Sequence, residues 1–166
     1  ASSLVDAGQW ERETMEYTGI PAVTAANATK EALRAVGAKS VALVCHYTPD
    51  RHELLKDSFK ADGFQVVSIE TADVPEPKLV NRISTEEVYR MARKADRPDA
   101  DAICLLATDL RSFPILQQLE DDLGKPVIST NQAILWKSLQ SAGVRPDIQG
   151  YGRLLSGEVL APAAVA

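Results

Sequence analysis

Short runs of branched apolar residues alternate along this chain with longer stretches in which apolar positions recur every three or four residues. The runs are Ala22-Val23-Thr24, Ser40–Cys45, 64–69, Ala102–Leu106 and 126–129. Their nearly unbroken apolar character predicts strands buried on both faces. In Ser84-Thr85-Glu86-Glu87, Ser84 can cap a helix while Glu87 reaches back to it, and Val88, Met91 and Ala92 form an inward stripe, so a helix over about 85–94 is predicted. Leu54, Leu55, Ser58 and Phe59 mark a second helix, closed by Asp62-Gly63. Helices are also predicted around 9–17 and over 114–123, whereas 71–81, with Pro75 and Pro77, reads as a surface loop or lid. The alternation predicts an α/β fold: mostly parallel strands with flanking helices.

An internal echo refines that picture. Gly19-Ile20-Pro21-Ala22-Val23-Thr24 leads to Asn27-Ala28, Leu33 and Gly37, and Gly124-Lys125-Pro126-Val127-Ile128-Ser129 leads to Gln132-Ala133, Leu139 and Gly143. Both copies read as helix end, Gly-x-Pro, short strand, hydroxyl residue, then a helix closed by Gly. A strand, a polar turn and a helix precede the second copy, but only a turn-like stretch over 2–8 and a helix precede the first. The expected organisation is two pseudosymmetric βα halves, the first incomplete: 1–38 is the remainder of the first half, 39–145 the second, and 146–166 a segment returning to the first half with a flexible tail.

The formal charge of −5 and pI near 5.1 argue against a nucleic-acid or anionic-membrane partner, both of which attract basic faces. No run approaches the roughly 20 apolar residues that span a bilayer, and no basic-then-apolar leader opens the sequence, so a cytoplasmic location is expected. Cys45 and Cys104 lie within apolar runs and read as buried free thiols. His46 and His52 could suggest acid–base work or metal binding, but no third ligand lies at metal spacing and His52 falls on a helix predicted to be exposed; no metal site is expected. Neither a Gly-x-Gly-x-x-Gly nor a phosphate-loop motif occurs, and no cofactor is expected.

In open parallel sheets, ligands bind beyond the carboxyl ends of strands. Residues just after the predicted strands are Ser2-Ser3, Thr24 through Asn27, His46-Tyr47-Thr48, Ala107-Thr108-Asp109 and Ser129-Thr130-Asn131-Gln132. These sets are rich in hydroxyls and amides, which suits a carboxylate held by neutral donors at helix N-termini. Any one of them also serves as an ordinary helix cap. Tyr47 stands out, because a phenol directly after a strand can donate to a substrate oxygen, although a packing tyrosine would sit equally well there.

The run 101–111, Asp-Ala-Ile-Cys-Leu-Leu-Ala-Thr-Asp-Leu-Arg, followed by 124–133 and Trp136, resembles the aspartate/glutamate racemase superfamily, in its branch of maleate cis-trans isomerases and arylmalonate decarboxylases. Residues 19–37, 41–47 and Gly150-Tyr151-Gly152-Arg153 are similar to that branch as well. The resemblance implies two pseudosymmetric halves, a cysteine at each of two related strand ends, and a substrate carboxylate held by backbone N–H, Ser/Thr, Asn and Tyr donors. Transferred to this sequence, it implies catalytic positions at Ala107 and Tyr47, and substrate contacts from Ser2, Thr24, Tyr47, Thr108, Asp109 and Asn131. The first cysteine would precede Ala1. The second falls at Ala107, and the asparagine two residues later is Asp109; Cys104, three residues earlier, is expected in the core.

A fragment, one chain of a split enzyme, an inactivated variant and a branch without thiol chemistry all fit this departure. The implied function is a maleate isomerase-like enzyme acting on a small dicarboxylate, with arylmalonate-type decarboxylation and a non-catalytic carboxylate-binding subunit as alternatives. A missing N-terminal half or partner chain, and an oligomer, are expected, since a parallel sheet lacking its first strands exposes an edge.

Overall fold

The computed structural model describes residues 7–72, 74 and 77–159. Four parallel strands, β1 (Ser40–Cys45), β2 (Gln65–Thr71), β3 (Ala102–Leu106) and β4 (Val127–Ser129), lie in the order β2-β1-β3-β4. The described α-helices are α1 (Ala7–Thr18), α2 (Ala25–Ala35), α3 (His52–Ala61), α4 (Thr85–Ala95), α5 (Leu116–Leu123) and α6 (Thr130–Ser141).

Strand geometry divides the core into two layers, because successive side chains point to opposite faces. Val41, Leu43, Cys45, Ala102, Cys104 and Ile128 face one layer, where Leu33 of α2, Leu55 and Phe59 of α3, and Trp136 of α6 meet them. Ala42, Val44, Ile103, Leu105 and Val127 face the other, covered by Val88, Met91 and Ala92 of α4 and Leu116 and Leu119 of α5. Burial on both faces explains why β1 and β3 read as continuous apolar runs. β2 is an edge strand, and its register against β1 shifts between Val41 and Ala42, which pair with Val66 and Ser68.

The predicted helices form with small shifts. A 3₁₀ turn, Phe113–Ile115, precedes α5, and another, Pro77–Arg82, falls within the stretch read as a loop. One predicted strand does not form. Residues 22–24 are extended but join no sheet among the described residues. Their counterpart β4 exists because β3 runs beside it; no described strand runs beside 22–24, and a strand has no ladder without a neighbour.

The rest of the echo is present in the backbone. Thr24 caps α2 by accepting from Asn27 N–H, and Ser129 caps α6 by accepting from Gln132 N–H. Gly37 and Gly143, which follow these helices, take φ of 77° and 72°. The fold thus brings the N-termini of α2 and α6 to the same end of the sheet as the carboxyl ends of β1 and β3.

Candidate functional site

A cavity of about 280 Å³ opens at that end. His46 and Tyr47 reach it directly after β1, and Ala107, Thr108 and Asp109 directly after β3. Ala25 and Ala26 bring the first turn of α2 to its wall, and Thr130 opens α6 beside it. Leu55, Phe59 and Leu106 supply apolar surface. The first turn of an eleven-residue helix presents backbone N–H groups and partial positive charge, which favours an anion and which the Glu11 carboxylate at Thr24 and Asn27 offsets in part.

The structure brings Tyr47, Ala107, Thr108 and Asp109 together on this cavity. It places Thr24 and Asn131 elsewhere. Thr24 is committed: its hydroxyl and its N–H both donate to Glu11 Oε1 at 2.6 Å, and Asn27 Nδ2 donates to Glu11 Oε2 at 2.7 Å. Asn131 is not among the lining residues; its amide donates to the Thr108 carbonyl at 2.9 Å, so it holds the loop after β3. Ser2 lies outside the described residues.

Other residues reach the cavity without having been singled out. Thr29 and Lys30 come from α2, and Ser58 from α3. The Lys30 ammonium is held by Asp62 and by Ser58 Oγ at 3.2 Å. These positions depend on which helix face turns toward the sheet, and only their spacing from Leu33 and Leu55 hinted at it. His46 carries a sequence signal of its own, one residue before Tyr47 at a strand end.

His52 corrects an expectation. It is half-buried, with Nε2 2.8 Å from Thr71 Oγ1 and 3.2 Å from the Tyr47 carbonyl oxygen, so it ties the segment after β1 to the end of β2. The first turn of α3 faces inward at this point, because the preceding 3₁₀ turn, Pro49–Arg51, folds the chain back over the strand ends.

Neither cysteine lines the cavity. Burial pushes the Cys104 thiol up, and burial also raises Cys45 despite hydrogen bonds from the Tyr47 backbone and Thr71. Both are therefore protonated, weakly nucleophilic core residues. Burial lowers His46 below its ordinary value, and the carboxylate of Asp109 opposes that shift.

The arylmalonate decarboxylase family matches residues 7–155. This chain belongs to that family. Arylmalonate decarboxylase of Bordetella bronchiseptica is 30% identical over 145 residues, covering 84% of this chain and 59% of that protein. Maleate isomerase of Geobacillus stearothermophilus is 28% identical over 139 residues, covering 83% and 55%. Among solved structures, a Cys→Ser variant of Nocardia farcinica maleate cis-trans isomerase, with a covalently bound succinylcysteine intermediate, superposes with a TM-score of 0.81 at 30% identity, covering 90% of this chain and 63% of that one. The family and α/β fold implied by 101–111 and 124–136 are thereby confirmed. The named relatives are enzymes in every case, and the chain spans little more than half the length of these curated proteins.

Proposed function

We propose that this chain is part of an enzyme that binds a small dicarboxylate in the cavity between the ends of β1 and β3 and removes one carboxylate from it. The observation that carries the reading is the donor set: the first turn of α2, Tyr47 and Thr108 line one cavity whose surface is largely apolar. A volume of about 280 Å³ lies near the lower end of ligand-binding clefts and suits a small acid. One carboxylate sits against the helix N-terminus and Tyr47. The other faces the apolar side near Leu55 and Phe59, where poor solvation favours loss of its charge as carbon dioxide.

Isomerisation of a maleate-type diacid is the second reading, favoured by the maleate isomerases among the relatives. Addition of a thiolate to the alkene needs a reactive cysteine, and Ala107 occupies the strand end where the resemblance implies one. On that reading the thiol comes from polypeptide outside this chain. Such polypeptide, completing the fold, would also cover the exposed face of α1.

Incubating the chain with phenylmalonate and, separately, with maleate, and following both by proton NMR, tests the assignment. Formation of phenylacetate with release of carbon dioxide supports decarboxylation. Conversion of maleate to fumarate transfers the assignment to isomerisation, binding without turnover makes the chain a carboxylate-binding subunit, and absence of binding removes the dicarboxylate reading.

A further inference from the structure

The cavity holds an imidazole whose hydrogen bonding is incomplete. His46 follows β1 directly, and its ring lies 4.7 Å from that of Tyr47, tilted by 33°. Its Nδ1 is buried and has no hydrogen-bond partner among the described residues. A buried polar atom left unpaired costs stability, and this one belongs to a ring that lines the cavity. Asp109 lines the same cavity and acts electrostatically on the ring.

The other ionisable groups around the site are committed or unsuited. Lys30 of α2 is paired with Asp62, His52 of α3 is turned to Thr71 and the Tyr47 carbonyl, and Cys45 is buried in the strand beneath. Among the described residues that line the cavity, His46 is the group suited to exchange a proton near neutral pH.

We propose that His46, with Asp109 facing the same cavity, is the proton donor to the carbon that loses a carboxylate. The inference rests on the decarboxylation reading above. The bond from the α-carbon to the departing carboxylate breaks, and carbon dioxide leaves. Its electron pair stays on the α-carbon, delocalised into the remaining carboxylate as an enediolate. The imidazolium N–H bond then breaks as the new C–H bond forms, and neutral His46 takes its next proton from water. Asp109 exchanges no proton in this sequence of steps, and the net change is diacid dianion plus proton to monoacid anion plus carbon dioxide.

In the free chain, burial disfavours the charged imidazole. A bound dianion adds negative charge beside Asp109 and draws a proton onto the ring. Substrate binding therefore loads the donor.

Calorimetric titration of the full chain with phenylmalonate at pH 7, in buffers of different ionisation enthalpy, reads this directly. The expected result is uptake approaching one proton per site, lost in His46→Gln while affinity changes less than tenfold. Decarboxylation by that variant should fall on the order of a hundredfold. In the unsubstituted chain, the His46 ring proton resonance should move to its charged position when phenylmalonate is added, a reading that needs no variant. In the free chain, Asp109→Asn should shift the His46 titration midpoint to lower pH.

Binding without proton uptake, uptake that persists in His46→Gln, or a His46 resonance unmoved by phenylmalonate overturns the proposal and leaves the dicarboxylate reading intact. An unchanged midpoint in Asp109→Asn overturns the pairing of the two residues. Failure of both phenylmalonate and maleate to bind overturns the dicarboxylate reading and the proposal with it.

Discussion

Glu120 is a carboxylate on which two distant segments depend. Only 4% exposed, it accepts from Val127 N–H through Oε1 at 3.0 Å and from Arg153 N–H through Oε2 at 2.8 Å, so it joins β4 to the loop that follows Gly150. Glu120→Ala orphans both donors. At about 1–3 kcal/mol for each unsatisfied group, the expected loss is about 3 kcal/mol in urea unfolding, with Glu120→Gln milder because one acceptor remains. Gly152 is bound to the same arrangement. Its φ is +83°, and an added Cβ would meet Gln132 Nε2 at 3.1 Å and the Glu120 carboxylate at 3.2 Å. Gly152→Ala should therefore cost more than about 1 kcal/mol. On the dicarboxylate reading, Tyr47→Phe removes one donor to a charged acceptor, and phenylmalonate affinity should fall roughly tenfold or more with stability little changed; unaltered affinity would return Tyr47 to a packing role.

At the scale of elements, local chemistry was the readable part. The cap of α4 is as its sequence predicts, with Ser84 Oγ accepting from Glu87 N–H at 3.2 Å, and Ser84→Ala should cost about 1 kcal/mol. β1 and β3 were legible because burial on both faces leaves only apolar residues. Residues 22–24 carry the same grammar without forming a strand, since pairing is a property of the neighbour and not of the run. The cavity was legible where it is built from strand ends, at Tyr47 and 107–109. It was illegible where helix faces supply it, at Thr29, Lys30 and Ser58, because tertiary packing decides which way those faces turn. The same packing joins α2 to α3 through Asp62, which receives Lys30 and, at 2.9 Å, Arg34. Burial alone would raise this carboxyl, but the two cations outweigh it and hold it below its ordinary 3.8. A depressed folded value means that the stabilisation is fully present above about pH 3.8 and is lost as pH falls through the folded value. Asp62→Asn should therefore flatten the acid limb of the stability curve below pH 4 while lowering stability at pH 7.

Across the whole molecule, cohesion is uneven. Every residue from Val41 to Cys45 is fully buried, whereas α1 contributes no buried residue and leaves Trp10, Met15 and Tyr17 exposed. What fastens α1 is chiefly the Glu11 carboxylate, reaching Thr24 and Asn27 at the start of α2. A helix with no buried residue opens without disturbing the sheet, and short isolated helices are marginal in water. Hydrogen exchange should therefore separate the two. Amides of α1 should exchange through local opening, while those of β1 and β3 exchange only through global unfolding and follow the urea-derived stability. Glu11→Ala should speed exchange in α1 by roughly tenfold, as expected for loss of charge-assisted hydrogen bonds, and leave β1 unchanged. If α1 were as protected as β1, its exposed apolar side chains would have to be covered in solution. A concentration dependence of that protection would then identify a second copy of the chain as the cover.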